Sequence, residues 1–231
     1  MAKILNINTS SGICSVALSY DGEIVSAYES STELDHSTTL APFVEKCLDY
    51  LRLHNDRLDA VSVVNGPGSY TGIRIGLSMA KGLTFGLDIP LISLSSLEVM
   101  AVRAIFTNPD FNGDELIIPM IDARRMEVYT AGFNSKLNHV FPERALILDE
   151  LSFKDIEGYD KKIFIGDGTE KFKGLYKDQN AIWMGKGMAH AKFMPALSEK
   201  YYREGIFSDV AYTVPNYLKE YMATVPKNKI L

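Results

Sequence analysis

Apolar residues in short runs predict three strands at the start of the chain. The runs are KILNIN (3–8), CSVALSY (14–20) and EIVSAYES (23–30). Asp21 and Gly22, between the second and third runs, form a pair that is typical of a hairpin turn. We therefore expect a meander of three antiparallel strands.

A three- and four-residue apolar repeat then predicts the first helix. The repeat consists of Leu40, Phe43, Val44, Cys47, Leu48 and Leu51. Pro42 is tolerated only in the first turn of a helix, so we expect the helix to begin near Thr38 or Thr39. The next predicted elements are a strand at 60–65, a glycine loop, a helix ending near Leu87, a strand at 90–94, and a helix capped by Ser95 or Ser96 that ends near Phe106.

The second half of the chain repeats this order. It predicts strands at 115–121, 126–133 and 139–148, a short helix or turn at 149–153, a strand at 162–168 followed by a short helix, a strand at 180–185, and a helix over about 189–202. VVNGPGSYT and FIGDGTEKF occupy equivalent places, which favours a duplication. The alternative is one continuous α/β domain of another topology.

The duplicated order predicts an α/β protein of two similar lobes, residues 1–108 and 109–231. Each lobe is expected to run βββαβαβα and to hold a mixed sheet covered by helices. This arrangement resembles the actin-like (ribonuclease-H-like) ATPases.

Composition and charge narrow the functional class. The chain has 231 residues, a net charge of −5 and two cysteines. An acidic chain is a poor stand-alone binder of nucleic acid, although a partner could hold the nucleic acid for it. Cys14 and Cys47 lie in apolar patterns and are expected to be core residues. No secretory signal and no run of about 18 apolar residues is evident, so we expect a cytoplasmic protein.

The loop GPGSYTGIRIG (66–76) looks like a phosphate-binding loop but fits neither common motif. A P-loop requires a lysine after its last glycine, and none follows here. A dinucleotide fingerprint requires a third glycine where Thr71 stands. We therefore favour a tight strand-to-helix turn over a phosphate site.

Four glycines lie in the helix after this loop: Gly72, Gly76, Gly82 and Gly86. Each lowers helix stability by about 1 kcal/mol relative to alanine. Two pairs at a spacing of four predict flat faces for close packing, within the chain or across an interface. Arg74 lies near the positive end of the helix dipole, which predicts a carboxylate partner in this chain or another; the alternative is a solvated arginine.

Several segments together resemble the TsaB (YeaZ) family. They are ILNINTSSGICSVAL (4–18), HSTTLAPFVEKCL (36–48), GPGSYTGIRIGLSMAKGL (66–83), PLISLSSLE (90–98), IDARRMEVY (121–129), IGDGTEKF (165–172) and VPNYLK (214–219). The segments at 66–83 and 121–129 are the most specific, and the resemblance covers most of the chain.

The resemblance implies a non-catalytic subunit of the complex that transfers a threonylcarbamoyl group to the adenosine next to the anticodon of tRNA. It implies a heterodimer with a TsaD-like catalytic paralogue, a homodimer when alone, and a TsaE-like small ATPase in the complex. ATP and metal would belong to these partners, tRNA would be contacted mainly through the complex, and no membrane is involved. The interface residues expected on the first lobe are His36, Leu40, Phe43, Tyr70, Gly72, Arg74 and Gly76.

The chemistry expected of a catalytic relative is missing from the matching positions. Ser96 and Met100 stand where the catalytic paralogue carries two histidine ligands. Asn8 ends the first strand, where actin-like ATPases place an acidic residue, and Asp122 is its counterpart in the second lobe. We expect these two residues to mark a degenerate nucleotide site, with Asp122 more simply a turn residue.

Two other functions remain open at this point. The fold also suits a self-sufficient ATPase or small-molecule kinase, which Asn8 and the broken glycine loop oppose. A metallopeptidase is less favoured, because the sequence has neither an HExxH nor an HxxxH motif.

Overall fold

The computed structural model describes residues 2–30, 35–154 and 156–219. The first half contains β1 (Lys3–Asn8), β2 (Ser15–Tyr20), β3 (Glu23–Glu29), α1 (His36–Leu53), β4 (Ala60–Gly66), α2 (Tyr70–Leu87), β5 (Leu91–Ser95) and α3 (Ser96–Thr107). The second contains β6 (Leu116–Asp122), β7 (Glu127–Phe133), β8 (His139–Ile147), β9 (Lys162–Ile165), α4 (Thr169–Lys173), β10 (Ala181–Trp183), a 3₁₀ turn (Ala191–Phe193) and α5 (Pro195–Glu204).

The strands form two five-stranded sheets with the same topology. Their orders are β3-β2-β1-β4-β5 and β8-β7-β6-β9-β10. In each sheet a three-stranded antiparallel meander is extended by two parallel strands. The predicted two-lobe α/β fold is therefore confirmed.

Helix α3 lies between the two sheets and joins the lobes. Helix α3 packs against β4 and β5 on one side and against β6, β7 and β9 on the other. Helix α5 packs against β1 and β5 of the first sheet. One apolar core runs from Ile4 and Leu94 through Met100 to Ile117 and Phe133. The predicted boundary at residue 108 thus separates the sheets, whereas α5 follows this boundary in sequence and packs on the first sheet.

The outer face of the first sheet is covered by α1 and α2, and these helices display the candidate interface. Helix α1 packs against β2 and β3, helix α2 packs against β1, β4 and β5, and the two helices pack against each other. Leu40, Val44 and Cys47 of α1 meet Leu77 and Ala80 of α2 in a second core. The apolar repeat that predicts α1 is therefore mostly an inward-facing stripe.

Helix α1 begins at His36, so the predicted start at Thr38 or Thr39 is wrong. Pro42 consequently lies in the second turn, where it cannot donate a backbone hydrogen bond to the Thr38 carbonyl. Thr38 and Pro42 are both exposed, so water can satisfy that carbonyl. Solvent exposure at this position explains why the proline does not end the helix.

The second lobe differs from the first between β8 and β9 and in the segment before α5. Of the short helix or turn expected at 149–153, the structure has the turn, at residues 150–154, so the described part of this lobe has no helix between β8 and β9. Phe153 adopts a left-handed φ of 65° and inserts into the aromatic core with Phe164 and Phe172. The helix expected over 189–202 is a 3₁₀ turn followed by α5, because Pro195 occupies the first turn of α5.

Candidate partner interface and degenerate nucleotide cleft

The glycine loop is a tight turn that packs on the β1–β2 connection. Gly66 and Gly68 have φ values of 123° and 154°, which side-chain-bearing residues rarely adopt. A Cβ on Gly68 would lie within 3.0 Å of the Ser10 carbonyl oxygen. Ser69 donates its amide to that same oxygen at 2.8 Å, and its side chain accepts from the amide of Gly72 at 3.2 Å. Two amides at the start of α2 are therefore already paired within the chain.

Asn8 is bound on both sides of its amide by the chain itself. It is fully buried, and its Nδ2 donates to the carbonyl of Ala189 at 2.9 Å. Its Oδ1 accepts from the Ser10 hydroxyl at 2.7 Å and from the Ser10 amide at 3.2 Å. Asn8 thus ties β1 to the segment that precedes α5, and its one good metal-ligand atom is occupied by Ser10.

Asp122 has the contacts of a turn aspartate. Its Oδ1 accepts from the amide of Arg124 at 2.5 Å and from Lys171 Nζ at 2.8 Å. Its own amide donates to Asp167 Oδ1 at 2.8 Å. Burial, and then the nearby charge of Asp122, raise the pKa of Asp167. One ion pair and two hydrogen bonds from backbone amides therefore stabilise the β6–β7 turn.

The two glycine pairs of α2 have opposite surroundings. A Cβ on Gly72 would collide with the backbone oxygen of Thr9, and one on Gly76 would collide with the Thr9 hydroxyl. Gly82 and Gly86 would meet nothing within 4 Å. The first pair therefore permits close packing inside the chain, whereas the second pair leaves a flat strip facing outward.

This strip belongs to a larger surface, which we call the α2 outer face. Its exposed members are Thr71, Arg74, Ser78, Gly82, Phe85 and Gly86. Half-buried Ile75, Met79 and Leu83 line a shallow groove beside them. Phe85 is 85% exposed, the highest fraction among the exposed large apolar residues that the structure describes.

Arg74 pairs with aromatic rings rather than with a carboxylate of its own chain. Its Nε donates to the hydroxyl of Tyr217 at 2.9 Å, and its guanidinium lies 4.0 Å from the centre of the Tyr70 ring. The hydrogen bond to Tyr217 raises the pKa of Arg74. Within the described chain, the expectation of a carboxylate partner is therefore replaced by a cation–π contact and a hydroxyl.

Four of the seven predicted interface residues point inward. His36 and Leu40 are 4% and 1% exposed, and Gly72 and Gly76 pack against Thr9. These four residues are therefore packed within the chain, and their role toward a partner stays a prediction. Phe43 is half-buried and stacks on Tyr28. Tyr70 and Arg74 remain accessible, so their interface role stays a prediction.

Sequence reasoning did not identify Phe85 or Tyr217 as site residues. Phe85 could have been found from helical geometry, because it lies away from the stripe of buried residues Ile73, Leu77, Ala80 and Thr84. Tyr217 lies in the VPNYLK segment that contributes to the family resemblance, but its contact with Arg74 spans 143 residues.

The positions that match metal ligands in the catalytic paralogue have structural contacts here. Ser96 is buried and donates its hydroxyl to the Pro67 carbonyl, and Met100 lies in the core between the lobes. Across residues 2–30, 35–154 and 156–219, no group of three or more His, Cys, Asp or Glu residues is arranged to hold a metal ion. None of the helices in these ranges is long and apolar enough to cross a membrane.

The sequence and the fold both match known proteins over nearly their full lengths. The family model for TsaD, tRNA N6-adenosine threonylcarbamoyltransferase, matches residues 30–229. The tRNA threonylcarbamoyladenosine biosynthesis protein TsaB of Bacillus subtilis is 33% identical over 94% of this chain and 93% of its own. TsaB of Escherichia coli is 28% identical and covers 96% of both chains. YeaZ from Pseudomonas aeruginosa has a TM-score of 0.80 at 25% identity and covers 94% of this chain and 100% of its own.

The family model and the Bacillus subtilis relative each extend over both lobes, so the match is not confined to one lobe. This chain therefore belongs to the threonylcarbamoyltransferase family that the model describes and, within it, to the TsaB proteins.

Proposed function

We propose that this chain is a non-catalytic partner subunit in the modification of tRNA with a threonylcarbamoyl group at adenosine. Its relatives are named for threonylcarbamoyladenosine biosynthesis, and the matching family model is named for the transferase. The observation that carries the proposal is the α2 outer face, an apolar and glycine-flattened surface on the first lobe.

The chemistry of this surface suits association with another protein. Gly82 and Gly86 let a foreign backbone or helix approach closely, while Phe85 offers a large apolar anchor beside them. Aromatic side chains and arginine dominate the binding free energy of many interfaces, and Arg74 lies at the other end of the same face. Burying an aromatic side chain removes about 150–250 Å² from water, so Phe85 alone could contribute several kcal/mol.

The hydrogen bonds at Asn8 and at the start of α2 support a structural role for this chain rather than a catalytic one. The Asn8 amide is held by Ala189 and Ser10, and the start of α2 is held by Ser10 and Ser69. A ligand at either place would have to displace hydrogen bonds within the chain. No observation favours the alternatives of an independent kinase or a metallopeptidase.

The partners follow from the same proposal. The α2 outer face would bind a TsaD-like paralogue, and in its absence a second copy of this chain. A TsaE-like ATPase would join the assembly, which would work in the cytoplasm and contact tRNA mainly through the catalytic subunit. ATP and metal would be supplied by the partners.

A matched pair of phenylalanine variants tests the surface. Phe85 on the α2 outer face and Phe106 at the end of α3 are 85% and 69% exposed. We expect Phe85→Ala to weaken binding to the paralogue from the same cell by at least about tenfold, which is about 1.4 kcal/mol, and Phe106→Ala to leave it unchanged. Titration calorimetry with light scattering measures both. Equal effects of the two substitutions, or no association of the unmodified pair at micromolar concentrations, would refute the assignment.

A further inference from the structure

The last described residues, 208–219, run across both lobes, and we call this segment the strap. Ser208 donates its amide to the Leu91 carbonyl at the edge of the first sheet at 2.8 Å. Lys81 of α2 donates hydrogen bonds from Nζ to the carbonyls of Ala211 and Thr213, at 3.3 and 2.9 Å. At its far end Lys219 forms an ion pair with Glu127 of β7, in the second lobe.

Asn216 is the strap's anchor at the glycine loop. Its amide donates to the Asn65 carbonyl at 2.8 Å, which adds the strap to the end of β4. A Cβ on Gly66 would lie 2.9 Å from the Asn216 carbonyl oxygen, so only glycine admits this approach. The side-chain amide of Asn216 donates to Glu143 Oε2 at 2.8 Å, while the other Glu143 oxygen accepts from the Ser95 hydroxyl.

Tyr217 is the second anchor and meets α2. Its ring stacks on Tyr70 with centroids 5.2 Å apart and planes at 26°, and its hydroxyl accepts from Arg74. The two anchors are bound by different groups. A backbone carbonyl and a carboxylate accept hydrogen bonds from Asn216, whereas an aromatic ring stacks on Tyr217 and a guanidinium donates to its hydroxyl.

We propose that the crevice between the Gly66 loop and Glu143 is a docking site for an extended Asn-Tyr peptide, filled in this chain by residues 216–217. Asn65 supplies the backbone acceptor, Glu143 selects the asparagine amide, and Tyr70 with Arg74 selects the tyrosine. The proposal does not rest on the proposed partner function, because every contact lies within one chain.

The filled crevice has a structural consequence for the lobes. The strap bridges β4 and α2 of the first lobe to β7 and β8 of the second through Asn216 and Lys219. It therefore braces the lobes on the side of the Gly66 loop and denies that side of the cleft to other ligands. Tethering gives the strap an effective concentration on the order of millimolar, so a dissociation constant of about 0.1 mM or tighter keeps the site at least about nine-tenths filled.

The test supplies the peptide from outside to a full-length chain whose own anchors are removed. The double variant Asn216→Ala with Tyr217→Ala receives an unlabelled peptide of residues 211–219, and the backbone amide signals of Gly66 and Ser95 are followed by NMR. We expect saturable shifts with a dissociation constant of about 0.1 mM or tighter. The unmodified chain should show none, because its site is filled, and a peptide with alanine at both anchor positions should have no effect.

Three results would overturn the proposal. These are the absence of shifts at millimolar peptide, equal shifts with the alanine peptide, or equal shifts in the unmodified chain. Hydrogen exchange of the Asn216 amide in the unmodified chain gives a second measurement that does not depend on a variant. Slowing of at least about tenfold relative to an unstructured peptide is expected, and exchange at the unstructured rate would mean that the strap is not docked.

Discussion

The same substitution at two glycines of α2 should change stability in opposite directions. Gly82→Ala adds a methyl group where nothing lies within 4 Å, so only the helix propensity changes. We expect it to raise the free energy of unfolding by about 0.5–1 kcal/mol. Gly72→Ala instead places a methyl group against the backbone oxygen of Thr9, within the 3.0 Å that real Cβ atoms respect.

The magnitude at Gly72 follows from what must move. Backbone atoms cannot swing aside as a flexible side chain can, so the β1–β2 connection has to shift. Overpacking of this kind typically costs about 1–3 kcal/mol. The shift also strains the buried hydrogen bond from the Thr9 hydroxyl to the Gly72 carbonyl, 2.7 Å long, which contributes about 1 kcal/mol. After the propensity gain of about 1 kcal/mol, Gly72→Ala should lower the free energy of unfolding by about 1–3 kcal/mol.

Urea unfolding of the two variants and the unmodified chain, followed by circular dichroism, measures the difference. The variants should differ from each other by about 1.5–4 kcal/mol, with the unmodified chain between them. A Gly72→Ala variant as stable as Gly82→Ala would refute the packing described for β1 and α2. Gly82→Ala also tests the α2 outer face, because it should weaken partner binding while it stabilises the fold.

Three further outcomes follow from individual contacts. Burial raises the pKa of Glu98, so the folded chain should lose stability as pH rises from about 4.5 through that raised pKa. Thermal unfolding between pH 4 and 8 should show this loss in the unmodified chain and not in Glu98→Gln. Burial lowers the pKa of His190 despite its 2.8 Å contact with Glu29, so the free energy of unfolding should be full above about pH 6.5 and should fall as pH drops through the lowered pKa. His190→Gln should flatten the dependence of this free energy on pH between pH 5 and 7. Arg74→Lys should keep the charge but lose the planar contact with Tyr70, so that Asn216 amide exchange accelerates severalfold while global stability changes by less than about 1 kcal/mol; an unchanged exchange rate would contradict the anchoring role.

The sequence was informative where local periodicity decides the structure. The apolar runs at 3–8, 60–65 and 115–121 become central strands because their residues are buried on both faces of a sheet. The start of α1 was misjudged because the solvent access that admits Pro42 to the second turn depends on the tertiary fold.

The candidate interface shows a sharper limit. Gly72–Gly76 and Gly82–Gly86 have the same spacing in sequence. At about 100° per residue, however, the second pair is rotated by about 80° around the helix, which carries it off the packed face. That rotation could have been worked out from the sequence. The contacts of Tyr217 with Arg74 and of Asn216 with Glu143 could not, because they join residues 143 and 73 positions apart.

Reconstitution of the modification reaction tests the central claim most directly. The TsaD-like paralogue and the small ATPase from the same cell would be assayed on unmodified tRNA, with this chain present, absent, or carrying Phe85→Ala. We expect modification only in the presence of this chain, reduced by at least about tenfold at limiting concentrations of the Phe85→Ala variant. Equal modification without this chain would contradict its assignment as a required subunit.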